Sequence, residues 1–191
     1  VRLALFGGTF DPIHNAHLAV AREAVRRCRL DRVIFIPAGR PPHKGGPRAS
    51  FEDRVRMAEI ACEDDPAFAV SPMEKGDRQS FSIHTIERVR ATLAPGDELF
   101  FILGADAFAE IRTWHRWHDV IAAVPFIVVS RPGHDYDAPP GARVKRLDTV
   151  GMPVSSTQIR EALAQGRSPL EVPPRVLEYI LARGLYRTAP S

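Results

Sequence analysis

Short apolar runs alternate along this chain with longer stretches whose apolar positions recur at helical spacing. The runs are Leu3–Phe6, Val33–Ile36, Phe68–Val70, Leu99–Leu103 and Phe126–Val129, with one more short strand near Arg143–Leu147. Their uniform apolarity marks strands covered on both faces, as in a parallel sheet. Helical spacing covers about Ala16–Arg27, Phe51–Cys62, Ile83–Thr92 and His115–Ala123. This alternation predicts an α/β fold, a parallel sheet wound by right-handed helical crossovers. The chain then leaves the sheet pattern for a C-terminal helical segment, about 154–186, with helices at Ser156–Gln165 and Arg175–Arg183. The second is entered through Pro173 and Pro174 and ended by Gly184. No internal repeat interrupts this order, and 191 residues with 45% hydrophobic content suit one domain over 1–191.

Two segments read as loops. Pro37–Ser50 holds four prolines and three glycines, and Arg131–Ala142 three prolines and two glycines. Both follow strands and so belong at the carboxyl edge of the sheet, where open α/β sheets bind ligands. Leu3–Leu18, LALFGGTFDPIHNAHL, reaches that edge first. Gly7 and Gly8 let the backbone turn tightly or approach a ligand closely. The helix that follows directs free N–H groups and a positive dipole at the turn, a setting for phosphate.

Charge adds little: a net charge of +3 with the basic residues dispersed gives no run suited to nucleic acid. Cys28 and Cys62 match neither a zinc spacing nor a disulfide framework. No signal peptide or membrane-length apolar run is present in the sequence. These features lead to the expectation of a cytoplasmic protein with reduced thiols, no membrane partner and no nucleic-acid partner. They leave a homo-oligomer open.

His14 and His17 stand where the first helix begins. Metal ligation would need a third strong ligand, the other histidine in reach is His43 on a loop, and HExxH is absent. Nucleophilic catalysis lacks an elbow such as GxSxG. Donation to phosphate oxygens during in-line displacement remains. Four further segments share the edge. Arg40–Lys44 is either a stiff surface loop or a basic lid that carries Lys44 over a phosphate. Asp106, after Gly104, is either an ordinary helix cap or a carboxylate for a ribose or a hydrated magnesium ion. Trp114 and Trp117 are either neighbours on a buried helical face or, at Trp114, a ring that stacks on a planar heterocycle. Ser155 and Gln158 have capping-box spacing, and hydroxyls at 155, 156 and 157 crowd that helix start. Arg160 in the first turn opposes the dipole, a conflict that a bound anion would relieve.

These residues resemble a known family. GGTFDPIHNAH is similar to the signature of the His-x-Gly-His nucleotidyltransferases, and VSSTQIR to their second signature, ISSTxIR. PPHK, SFSIHTI, GADAF and TWHRW resemble one branch, the bacterial nicotinate-nucleotide adenylyltransferases, in consistent order from about residue 3 to residue 186. The resemblance implies a Rossmann-like doubly wound sheet with helices on both faces. It also implies magnesium-dependent transfer of AMP from ATP to nicotinate mononucleotide, giving deamido-NAD and pyrophosphate by direct attack. The catalytic residues it implies are His14, His17 and Arg160. Gly8, Thr9, Phe10, Gly104, Asp106, Ser156 and Thr157 join them around ATP. Lys44, Phe81, Ser82 and Trp114 serve the acceptor and its phosphate region, and Mg²⁺ is held mainly by ATP phosphates and water. The alternatives are nicotinamide mononucleotide as acceptor, alone or with the acid, and a non-catalytic nucleotide-binding module. Two positions depart from the family pattern. Ala16 replaces the glycine of His-x-Gly-His, and Ser80-Phe81-Ser82 stands where Ser-Tyr-Thr is usual.

Overall fold

The computed structural model describes residues 1–40, 46–76, 81–149 and 155–187. Its elements follow the predicted alternation: β1 (Arg2–Gly8), α1 (Asn15–Cys28), β2 (Arg32–Pro37), α2 (Phe51–Cys62), β3 (Phe68–Val70), α3 (Ser82–Arg90) and β4 (Glu98–Gly104). There follow α4 (Ala105–Ala109), a single 3-10 turn (Ile111–Thr113), α5 (Trp117–Ala123), β5 (Phe126–Ser130), β6 (Val144–Asp148), α6 (Ser156–Ala164) and α7 (Pro174–Arg183). The strands form one six-stranded sheet in the Rossmann-like order β3-β2-β1-β4-β5-β6, and every pair is parallel.

The apolar runs are explained by two cores. Ala4, Val33, Phe35, Phe100, Ile102 and Ile127 face one layer, where they meet Leu18 and Ala21 of α1, Met57 of α2, Ile159 of α6 and Val176 of α7. The alternate residues Leu3, Leu5, Ile36, Leu99, Phe101 and Val128 face the other, against Ile83 and Ile86 of α3, Phe108 of α4 and Val120 of α5. Period two therefore persists along each strand, but both parities are apolar. A fully buried side chain such as Leu5 or Phe35, each 0% exposed, contributes about 1.5–3 kcal/mol. No helix among the described residues is long and apolar enough to cross a membrane.

The structure differs from the sequence reading at the end of β1. Gly7 and Gly8 do not turn the chain; they continue the strand, paired with Ile36 and Pro37. Their small size serves packing. A Cβ on Gly7 would lie 3.3 Å from the Phe101 ring, and one on Gly8 3.1 Å from the Phe10 ring. The turn comes afterwards, with Phe10 in the left-handed region at φ 52°. Burial of its ring against Phe6, Phe35 and His17 offsets that strain. The five-residue α4 and the 3-10 turn are too short for a periodic signal, and α5 begins at Trp117 rather than His115 because Arg116 takes up a left-handed conformation.

β1 and β4 are adjacent in the sheet, yet their connections run to opposite sides of it, so a crevice opens beyond Gly8 and Gly104. Gly104 and Asp106 line a cavity at that edge, beside Ala16 of α1.

Candidate active site

His14 is the N-cap of α1 and His17 its third residue. The His14 backbone N–H donates to His17 Nδ1 at 3.1 Å, and the two rings stack at 3.8 Å between centroids. An Nδ1 that accepts carries no proton, so the neutral His17 ring holds its proton on Nε2. Burial lowers the His14 pKa to about 4, and burial together with the neighbouring His14 lowers His17 to about 3. At neutral pH both are therefore uncharged hydrogen-bonding groups rather than cations. Among the described residues His14 Nδ1 is buried with no hydrogen-bond partner.

These values fix a pH dependence. Both folded-state pKa values lie below the ordinary 6.5, so the unfolded chain binds more protons between them. The contribution of these histidines to stability is complete above pH 6.5 and is lost as pH falls towards 4 and 3. Urea unfolding should show the wild type losing more stability between about pH 7 and pH 5 than His17→Asn, which cannot titrate there. Equal losses would contradict this linkage.

The start of α6 lies against the same turn. Ser155 caps it by accepting from the Gln158 N–H, as the spacing predicts. Ser156 Oγ donates to the Pro12 carbonyl at 3.0 Å, while Arg160 donates to the Asp11 carbonyl at 2.9 Å and to Thr157 Oγ1 at 3.3 Å. Two helix starts from distant parts of the chain thus meet at Asp11–His14. The conflict between Arg160 and the dipole has a protein answer before any anion arrives, namely the Asp11 carbonyl. The α1 start is also less open than the sequence implies, because the Asn15 N–H donates to the Glu171 carbonyl at 2.8 Å. Phe10 is 3% exposed, so its backbone, not its ring, is what it can offer a nucleotide.

Beside α1 lies a cavity of about 460 Å³ at the carboxyl ends of β4 and β5. Gly104, Asp106, Ala16 and Val20 line it. A Cβ on Gly104 would meet nothing within 4 Å, so the space beside that glycine is open. Ser130, Arg131 and His134 also line the cavity, so the loop after β5 reaches the carboxyl edge where its position after a strand puts it.

The second group is aromatic. Trp114 packs edge-on against Phe101 at 6.0 Å, and His115 stacks on Phe81 at 4.3 Å. Phe81 is the N-cap of α3 and makes no side-chain cap, so the first N–H groups of that helix, Ser82 among them, are not capped by it. Arg116 pairs with Glu87 of α3 at 2.9 Å and with Asp119 at 2.8 Å, which ties the Trp114 segment to α3. Trp117 stacks on His118 instead. Lys44 and Ser80 lie outside the described residues.

Several contributors escaped the sequence reading. Asp11 is 4% exposed and Arg54 1%. Asp11 accepts from the Arg48 and Ala49 N–H groups and the Tyr186 hydroxyl, while Arg54 donates to the Thr9, Ala38 and Ala49 carbonyls. An aspartate before a proline reads as a turn residue, and nothing local announces a partner 175 positions away.

The model of the cytidylyltransferase-like family matches residues 5–162. A probable nicotinate-nucleotide adenylyltransferase of Solibacter usitatus (strain Ellin6076) is 59% identical over 187 residues, covering 97% of this chain and 100% of that protein. One from Pseudomonas fluorescens is 39% identical over 212 residues, covering 100% and 99%. Plasmodium falciparum nicotinic acid mononucleotide adenylyltransferase complexed with NaAD superimposes with a TM-score of 0.79 over 97% of each chain. At 18% identity, that likeness is one of fold.

Proposed function

Because the chain belongs to the nicotinate-nucleotide adenylyltransferases of the cytidylyltransferase-like family, we propose that its two converging helix starts hold ATP and its aromatic side holds the acceptor. Its activity is transfer of AMP from ATP to nicotinate mononucleotide, giving deamido-NAD and pyrophosphate. An oxygen of the mononucleotide phosphate attacks the α-phosphorus, a new P–O bond forms, and the bond to pyrophosphate breaks. No side chain becomes covalently attached in this reading.

The observation that carries the site assignment is the meeting of α1 and α6 at Asp11–His14. His17 Nε2–H and His14 supply neutral donors to phosphate oxygens, Arg160 supplies the cation, and Gly8, Thr9, the Phe10 backbone, Ser156 and Thr157 surround them. The cavity bounded by Gly104 and Asp106 takes the adenosine. Trp114 stacks on the pyridine ring, the α3 start at Phe81 and Ser82 meets the nicotinate carboxylate, and Lys44 serves the phosphates. Holding the reactants in line can supply roughly 7–11 kcal/mol, more than any single donor.

Mg²⁺ belongs to this reading as a companion of the triphosphate. Among the described residues no three His, Cys, Asp or Glu side chains gather into a metal site. The ion would be carried by phosphate oxygens and water, with Asp106 available to its hydration shell, and would supply charge neutralisation. The rest of the proposal is one domain over 1–191, since α6 and α7 pack on the same sheet as α1 and α2. A cytoplasmic location is included, where ATP and reduced thiols are found.

Pyrophosphate release from MgATP tests the reading, with nicotinate mononucleotide, nicotinamide mononucleotide and phosphopantetheine offered separately. Release should be fastest with the first. Equal release with the amide would remove the carboxylate role given to the α3 start, and no release with any acceptor would leave a binding module. Trp114→Ala should raise KM for nicotinate mononucleotide by about tenfold, the loss of roughly 1–1.5 kcal/mol of ring stacking, with KM for ATP unchanged. Equal increases for both substrates would contradict stacking.

A further inference from the structure

We propose that the Tyr186 hydroxyl, acting through Asp11, sets how freely Arg160 can grip the ATP phosphates, which makes Tyr186 a positioning residue of the reaction. The inference rests on the assignment of Arg160 to the triphosphate. Asp11 carries a buried carboxylate directly behind the phosphate turn. Its Oδ1 accepts from the Tyr186 hydroxyl at 2.7 Å and from the Ala49 N–H at 3.1 Å; its Oδ2 accepts from the Arg48 N–H at 2.8 Å. The Arg160 guanidinium stands 4.0 Å from Oδ2, at the outer edge of an ion pair, and bonds instead to the Asp11 main-chain carbonyl.

Three uncharged donors therefore absorb the carboxylate charge that would otherwise draw Arg160 inward. The cation stays near the turn without being consumed by it. Removing the shortest of the three, the phenolic bond, leaves Oδ1 with the Ala49 N–H alone in a buried site, and Arg160, 4.0 Å from Oδ2, is a charged donor within reach of the carboxylate. An arginine drawn into a closer pair with Asp11 then competes with the triphosphate for the same charge.

The placement of Tyr186 is itself costly. It holds a left-handed φ of 62° two residues after Gly184, at φ 64°, has ended α7, and no glycine relieves it. The surrounding contacts maintain that conformation, and its product is the hydroxyl on Asp11. The other charged group against this network is Arg54, whose guanidinium is engaged by three carbonyls.

Tyr186→Phe should raise KM for MgATP about tenfold, the scale of a lost hydrogen bond to a charged group, with kcat and KM for nicotinate mononucleotide within about twofold. In an Arg160→Ala background the same substitution should change KM for MgATP by less than about twofold, because the group it acts through is gone. An unchanged KM for MgATP in the folded single variant overturns the proposal, and so does an effect that persists undiminished without Arg160. Arg160→Ala alone separates this from the site assignment: if it leaves KM for MgATP unaltered, the assignment of Arg160 to ATP fails. If it raises KM while Tyr186→Phe does not, only the Tyr186 proposal fails. Should Tyr186→Phe fold poorly, 4-aminophenylalanine at 186 carries the test. Its N–H is a weaker donor, so KM should rise by an intermediate factor, and an unchanged KM overturns the proposal.

Discussion

His17→Ala is expected to lower kcat for pyrophosphate release by about 10²–10³ at saturating substrates, with the fold retained. The size follows from how the ring is held. With Nδ1 engaged by the His14 N–H, the single proton of the neutral imidazole sits on Nε2. A pKa near 3 keeps that proton arrangement throughout the physiological range. A fixed neutral donor needs no reorganisation when negative charge builds on phosphate oxygens, and this preorganisation is what makes one donor worth about 3–4 kcal/mol. Alanine also deletes the acceptor for the His14 N–H, a loss of about 1 kcal/mol at a helix cap, too small to unfold the chain. His17→Asn keeps an acceptor near that N–H but not the Nε2 donor, so it should recover stability without recovering turnover. A His17→Ala enzyme that retains more than half of wild-type kcat would remove His17 from the chemistry.

The same contrast between local and distant partners explains what could be read from the sequence. The β1, β4 and β5 strands were legible because Leu3–Phe6, Leu99–Leu103 and Phe126–Val129 are apolar at both parities, and only a strand covered on both faces requires that. Ser155 and Gln158 announced α6 because a cap is a contact three residues long. At Gly7 and Gly8 the sequence admits a tight turn or a close approach, because a glycine needed for turning and one needed to admit the Phe101 or Phe10 ring look alike until the rings are placed. The motifs at His14, His17, Ser156 and Arg160 are short enough to stand out in the sequence, and the structure brings them to one turn. Their supports do not stand out. Asp11 meets Tyr186 across 175 positions, and Arg54 meets the Thr9 carbonyl across 45.

Arg54→Met should have the largest effect on stability, a loss of about 3–5 kcal/mol in denaturant unfolding at neutral pH. Arg54 is 1% exposed, and its guanidinium donates to the Thr9 carbonyl at 2.9 Å, Ala38 at 2.7 Å and Ala49 at 3.3 Å. These carbonyls belong to the turn after β1, the segment after β2 and the approach to α2. One cation therefore holds together three segments that converge beside the Asp11–His14 turn. Methionine fills much of the volume but leaves buried carbonyls without donors and removes a positive charge that faces Asp11. Lysine restores the arrangement only in part, because one ammonium can serve the Thr9 and Ala38 carbonyls that Nη1 bonds but not also the Ala49 carbonyl bonded by Nε. Arg54→Lys should therefore recover part of the lost stability and not all of it. A loss below about 1 kcal/mol for Arg54→Met would show that the carbonyls find water or other donors when the guanidinium is removed. If the loss is as large as expected, the surviving folded fraction should also bind ATP more weakly. The Thr9 carbonyl that Arg54 holds lies two residues before Asp11, so a turn that has lost this anchor cannot present His14, His17 and Arg160 in register.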